Sequence, residues 1–375
     1  HHFIEQKLFR TPISSIEPST NCEKHSVERQ FTREIESLRL GAGEVFHGEG
    51  ILAVTKALLQ SGVSYVGGYQ GAPVSHLLDV MVQAREYMDE LGVHVEACTS
   101  EASAAAMLGA SINYPARGAV TWKSIVGTNV AADALSYLAS AGVMGGTLIV
   151  LGEDYGEGGV VAQERSHSFA MKSLMWLLDP RPNLATIVDM VEHGFALSEA
   201  SNTPVMMELR VRACHVHGSF IARENRSPAI STRHLLEGPP KEFIYDRLAH
   251  PPAIFRQEKL KNDVRLPAAR RYVAEHKLNE IIEASSAGGG AAGEAAVGLV
   301  VQGGLYNGLM RALRLLGLAD DFGVCRIPIY VLNVVYPLVP EEIISFAKSK
   351  TALLVIEEGQ PEFIEQEIAT HLRRA

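Results

Sequence analysis

Residues 96–110 read E-A-C-T-S-E-A-S-A-A-A-M-L-G-A, and residues 117–133 read R-G-A-V-T-W-K-S-I-V-G-T-N-V-A-A-D. The first segment reads as a strand end followed by a helix of small residues that Glu101 opens. The second reads as an apolar strand that ends in Trp122-Lys123 and turns through Gly127 into another helix. Glu101, Lys123 and Asn129 therefore fall near the carboxyl ends of neighbouring strands. In an open α/β sheet that edge is where ligands bind.

The same alternation extends outward in both directions. Apolar residues at Ile51, Leu52, Thr55, Leu58 and Leu59 predict a helix over 48–60. A strand over 64–69 ends in a Gly-rich turn, and Ser75 is placed to cap the next helix, which runs to about residue 91. Further strands are predicted at 93–97, 118–122, 147–152 and 204–211, with helices at 101–113, 129–141 and 183–201. Strands alternating with helices predict an α/β fold built on a doubly wound parallel sheet. Residues 1–40 lack periodicity and read as an N-terminal extension, so the sheet domain is set at 41–215. Residues 216–292 break the alternation with Pro228, Pro239, Pro240, Pro251 and Pro252, a charged helix near 266–284 and the joint Gly288-Gly289-Gly290. They read as a linker region. A second, smaller α/β unit is expected over 293–375.

A chain of 375 residues has room for two or three domains with buried cores. Its net charge of −9 argues against a nucleic-acid surface, which needs clustered Lys and Arg. No apolar run is long enough to span a bilayer and no secretory pattern opens the chain, so a cytoplasmic location is expected. The chain starts at His1-His2 without a Met, so its natural start is expected to be missing or processed. The four cysteines are scattered with no C-x-x-C, so neither an iron–sulfur cluster nor a disulfide framework is expected within these residues. Gly288-x-Gly290-x-x-Gly293 matches a dinucleotide fingerprint, but it precedes a strand instead of following one and is rejected. Cys214-His215-Val216-His217, read as strand, puts the two imidazoles on one face and the thiol on the other. A zinc site needs three or four converging ligands, so no metal is assigned there.

Four blocks resemble the α subunits of indolepyruvate ferredoxin oxidoreductases, within the wider 2-oxoacid:ferredoxin oxidoreductase family. Gly68-Tyr69-Gln70-Gly71-Ala72-Pro73 is similar to the family's Gly-Tyr-Pro-Gly-Thr-Pro turn. Glu101 falls where the family keeps its catalytic glutamate. Lys123 to Asp133 is similar to its Lys-His-Val-Gly-Leu-Asn-Val-Ala-Ala-Asp run. Gly145 to Val150 with Gln163-Glu164-Arg165-Ser166 matches the next strand and loop. A weaker likeness covers Gly303-Gly304-Leu305-Tyr306 and Val335 to Pro340. The resemblance implies a domain that holds the aminopyrimidine ring of thiamine diphosphate, followed by a transketolase C-terminal-like domain.

It also implies the roles. Glu101 would be catalytic, hydrogen-bonded to the pyrimidine ring, and Gly71, Ala72, Pro73 and Asn129 would help bind the cofactor. Lys123 offers a point charge suited to a 2-oxoacid carboxylate, and Gln163 and Arg165 lie in a loop that the family places near the active site. Plainer readings stand beside these. Glu101 can serve only the helix dipole, Asn129 can cap a helix, Lys123 can sit in solvent, and the 163–165 loop can be solvated. Glu96, the rival carboxylate, reads as a structural ion-pair partner. Gln70 and Ala72 depart from the family's Pro and Thr, so the turn has lost a hydroxyl.

The family's diphosphate half-site normally carries Gly-Asp-Gly, which this sequence does not contain. The diphosphate and its Mg2+ are therefore expected on another domain or subunit, with iron–sulfur clusters on a partner or further segment. The chain would be a truncated α subunit or a variant whose domains sit on separate chains. The expected partners are that diphosphate-binding unit, a γ-type oxidoreductase subunit, ferredoxin or another electron acceptor, and coenzyme A. The implied reaction is oxidative decarboxylation of an arylpyruvate to acyl-CoA, carbon dioxide and reduced carrier. The alternatives are a non-catalytic scaffolding or regulatory subunit and a non-redox thiamine-dependent decarboxylase.

Overall fold

The computed structural model describes residues 29–155, 163–231, 244–247, 250–285 and 296–375. Thirteen strands are found among them. They are β1 Val45–Glu49, β2 Tyr65–Gly68, β3 His94–Ala97, β4 Gly118–Lys123, β5 Thr147–Glu153, β6 Trp176–Leu178 and β7 Val205–Arg210. The rest are β8 His217–Ile221, β9 Glu280–Ile282, β10 Val297–Gln302, β11 Ile329–Leu332, β12 Val334–Tyr336 and β13 Ala352–Ile356.

The expected doubly wound sheet is present. Seven strands run in the order β12-β6-β7-β5-β4-β2-β3, and all pairings are parallel except that of β12 with β6. β4 and β5 are buried along almost their whole length, so they read as unbroken apolar runs, as a strand covered on both faces must. Helices Gly50–Gln60, Ser75–Gln83 and Leu184–Ser201 pack together as one layer. Helices Glu101–Met107, Ala132–Ala141 and Ser166–Ser173 form the other. Right-handed crossovers require this division, because the connection reverses direction between β2→β3 and β3→β4.

A second sheet has the order β13-β10-β11-β9, with β9 antiparallel to β11. Side chains along β10 alternate between two cores. Val300 joins the main core, with Tyr330 and Leu332 of β11. Leu299 and Val301 face a smaller cluster with Leu313 of helix Tyr306–Leu315. The chain then returns to the large sheet as β12, so the two sheets share one main core.

Several local details differ from expectation. Segment 216–292 contributes β8, which pairs with β1, and β9, which joins the second sheet. Residues 211–215 form a helical turn, Val211–His215, so His215 and His217 do not lie on one strand. Ser75 starts its helix, but the cap position is Val74, with no side-chain cap bond. Residues 288–293 lie outside the described residues, as do 1–28 of the proposed extension.

Candidate active site

The turn after β2 and the loop after β4 leave adjacent strands toward opposite layers. This creates a crevice at the carboxyl ends of β2 and β4, the topological switch point where open α/β sheets bind ligands. Each loop carries a cis peptide, Ala72–Pro73 in one and Ser124–Ile125 in the other. A Cβ on Gly71 would lie 2.5 Å from Lys123 Cβ and 2.8 Å from its amide nitrogen. Only glycine lets the turn rest on the end of β4. Ala72 is exposed and Pro73 buried.

Glu101 opens helix Glu101–Met107 in the layer beside this crevice. The helix is capped by Ser100, whose Oγ accepts from the Ser103 amide at 3.2 Å, so Glu101 is not needed as a cap. Glu101 is only 9% exposed, and among the described residues no hydrogen bond or ion pair reaches its carboxylate. Its stem packs on the loop after β4, where a Cβ on Gly127 would come within 2.9 Å of Glu101 Cγ.

Lys123 is half-buried, and its Nζ donates to Asp154 Oδ2 at 3.2 Å. The other Asp154 oxygen, Oδ1, is buried and has no hydrogen-bond partner among the described residues. Asn129 is exposed, with Nδ2 3.5 Å from Glu164 Oε2. Gln163 is exposed and has further interactions. Glu96 is exposed and lies 3.6 Å from His94, as an ion-pair partner would. Gly71, Pro73, Lys123, Glu101 and the 127–129 turn are thus gathered at one edge.

Arg165 stands apart from them. It is buried and donates to Glu357 Oε2 at 2.6 Å and to the Pro361 carbonyl at 2.9 Å, which ties the 163–166 loop to the C-terminal segment. Beside it, burial pushes the His167 imidazole down to about 3, with the Arg165 charge adding to the shift.

Sequence reading missed the polar chain behind the crevice. Ser124 Oγ meets Thr128 Oγ1 at 2.7 Å and also bonds Ser166 Oγ. The Ser166 amide donates to Glu153 Oε1 at 3.0 Å, and the Tyr155 hydroxyl donates to Glu153 Oε2. On the adjacent strand, Glu208 accepts from Gln302 Nε2 at 2.7 Å. Arg210 donates to Asp179 and to Glu358, each at 2.7 Å. Burial, then the neighbouring Glu153 charge, pushes the Glu208 carboxyl well above the ordinary range. One signal was available: Glu153-Asp154 puts two acids at the end of an apolar strand.

In fold, the chain is similar to a solved 2-oxoacid:ferredoxin oxidoreductase. A solved 2-oxoglutarate:ferredoxin oxidoreductase from Magnetococcus marinus matches it with a TM-score of 0.64. The match covers 87% of this chain and 60% of that one, at 16% identity. In sequence, the chain is similar to indolepyruvate oxidoreductase subunit IorA. It is 25% identical over 321 residues to the Methanothermobacter marburgensis protein and 24% over 317 residues to that of Methanothermobacter thermautotrophicus. These alignments take in 86% and 84% of this chain but 48% and 47% of the relatives, so the chain spans about half their length. No protein-family model matches the chain. No helix among the described residues is long and apolar enough to cross a membrane.

Proposed function

We propose that this chain is the pyrimidine-binding part of a thiamine diphosphate-dependent 2-oxoacid oxidoreductase that oxidatively decarboxylates an arylpyruvate with coenzyme A. The observation that carries this reading is Glu101, a mostly buried residue whose carboxylate has no partner among the described residues, beside a glycine-floored crevice. The residues fit the cofactor's aminopyrimidine ring: an acceptor without a donor at Glu101, a second at Asp154 Oδ1, and loops kept close by Gly71 and Gly127. Glu101 would hold a hydrogen bond to a ring nitrogen, and Gly71, Ala72, Pro73 and Asn129 would border the ring. When bound, the cofactor supplies a nucleophilic carbon that attacks the 2-oxoacid ketone and takes up the electron pair left by carbon dioxide.

Lys123 would steer the substrate carboxylate, with Asp154 fixing its ammonium at the strand end. Gln163 borders the same edge. Arg165, enclosed by Glu357 and Pro361, would act on that loop's position. Tyr69, Val126 and Val130 are 42%, 50% and 53% exposed around the crevice. They offer an apolar rim for a diphosphate-binding domain or subunit, which would bring Mg2+. Iron–sulfur clusters, a γ-type subunit and ferredoxin or another acceptor would complete electron transfer.

The test is dye reduction by arylpyruvates and coenzyme A in the assembled enzyme, with and without thiamine diphosphate. Thiamine-dependent reduction is expected, and Glu101→Gln should lower it by roughly 10²–10⁴-fold while melting no lower than the parent. Near-normal turnover of Glu101→Gln would remove the assignment. A cofactor-loaded assembly that reduces nothing would favour a scaffolding role.

A further inference from the structure

The turn that forms one wall of the crevice is too short to hold itself. Helix Val126–Val130 has five residues and no side-chain cap bond at its start. A helix of about one turn is unstable without ties from outside it. Val126, Asn129 and Val130 are exposed, so the ties fall to Gly127 and Thr128, both buried. Gly127 fits between two side chains. A Cβ there would lie 2.8 Å from Trp122 Cγ and 2.9 Å from Glu101 Cγ, so the backbone of the turn rests on the indole and on the stem of Glu101. Thr128 supplies the polar tie. Its Oγ1 accepts from Trp122 Nε1 at 3.3 Å and meets Ser124 Oγ at 2.7 Å. Ser124 Oγ bonds Ser166 Oγ at the start of helix Ser166–Ser173, and the Ser124 amide donates to the Gly152 carbonyl of β5 at 2.9 Å. Trp122, Ser124, Thr128 and Ser166 are all at most 1% exposed, so water does not compete for these bonds. A buried polar network whose members are paired is rigid. From Ser166 the link to Glu153 runs through a backbone amide, which makes the chain a brace and not a proton path.

We propose that Thr128 is a positioning residue for the crevice: its hydroxyl fixes the turn on which the stem of Glu101 rests and which carries Asn129. The inference rests on the thiamine diphosphate reading of Glu101 given above. It adds that Glu101 is aimed from the side, by the loop after β4. Without the hydroxyl the turn is free to shift against the indole, and a displacement of about 1 Å can cost about 10²-fold in rate. Lys123 precedes the turn and is held by Asp154, outside this brace, so capture of the 2-oxoacid carboxylate is spared.

The experiment compares Thr128→Val and Thr128→Ser in the assembled enzyme. Val keeps the shape of Thr without the hydroxyl, and Ser keeps the hydroxyl. Calorimetry measures thiamine diphosphate binding, and dye reduction at saturating cofactor gives kcat and KM for an arylpyruvate. Thr128→Val should bind thiamine diphosphate at least about fivefold more weakly and lose about 10–10²-fold in kcat, with KM for the arylpyruvate within about twofold of the parent. Thr128→Ser should restore most of both. A role in packing alone would lower the melting midpoint of Thr128→Val and leave affinity and kcat unmoved, which overturns the proposal. An equal loss in Thr128→Ser overturns it too. If Thr128→Val does not fold, Ser124→Ala cuts the same brace at its next link, and parent-like cofactor affinity in that variant sinks the proposal. A parent assembly that binds no thiamine diphosphate removes the reading of Glu101, and this inference with it.

Discussion

Replacing Arg165 by Met separates two roles for that residue, one in the crevice and one in the core. The Arg165 side chain is 1% exposed and that of its partner Glu357 6%. Met keeps most of the packing volume, including the contact with Phe363, whose ring lies 5.3 Å from the guanidinium. It leaves Glu357 buried without a counter-charge. Breaking a buried ion pair from one side costs about 3–5 kcal/mol. Glu357 retains two backbone donors, from Ile364 at 3.1 Å and Glu365 at 3.0 Å, which argues for the lower end. At about 2 °C per kcal/mol, a loss near 3 kcal/mol lowers the melting midpoint by about 6 °C. Thermal unfolding of the full chain, followed by circular dichroism, measures it. Adding Glu357→Met should restore part of the loss, because both charges are then gone. An Arg165→Met chain that melts within about 1 °C of the parent, while the assembled enzyme shows a raised KM, would refute the burial argument. The guanidinium would then belong to the substrate.

Two further perturbations probe the crevice and the polar chain behind it. In Gly127→Ala the new methyl would lie 2.8 Å from Trp122 Cγ and 2.9 Å from Glu101 Cγ. We expect a loss of roughly 1–3 kcal/mol together with reduced turnover, and unchanged stability in denaturant titration would show that the helix can shift freely. Glu208 has its carboxyl raised in the folded state, so the native chain keeps a proton that the unfolded chain releases. Stability from this group is then complete at acid pH and declines as pH rises through the ordinary glutamate range toward the folded value. Glu208→Gln, which still accepts from Gln302 through its amide oxygen, should flatten the fall in melting midpoint as pH rises above the ordinary glutamate range; parallel curves for parent and variant would contradict it.

What was legible in the sequence was local. Strand, Gly-rich turn and small-residue helix follow one another within about ten residues, so the punctuation at Gly68–Pro73 and at Lys123–Asn129 located the carboxyl edge. Glu101 could be placed at a helix start for the same reason. β6 and β12 were not legible, because three residues each are too few to show a period of two. β1 and β8 were hidden for another reason, since their pairing joins residues 45–49 to 217–221. Charge partners at long range were equally invisible. Arg165 meets Glu357 across 192 positions, and Lys123 takes Asp154 across 31. A charged residue in a polar loop looks free in the sequence, and only the packing of the C-terminal segment after β13 shows that Arg165 is enclosed. Glu101 is the converse case. Its stem lies against Gly127, and no described side chain pairs with its carboxylate. A leftover charge is a property of the whole fold, and it distinguishes Glu101 from an ordinary helix-opening glutamate more sharply than its position in the sequence.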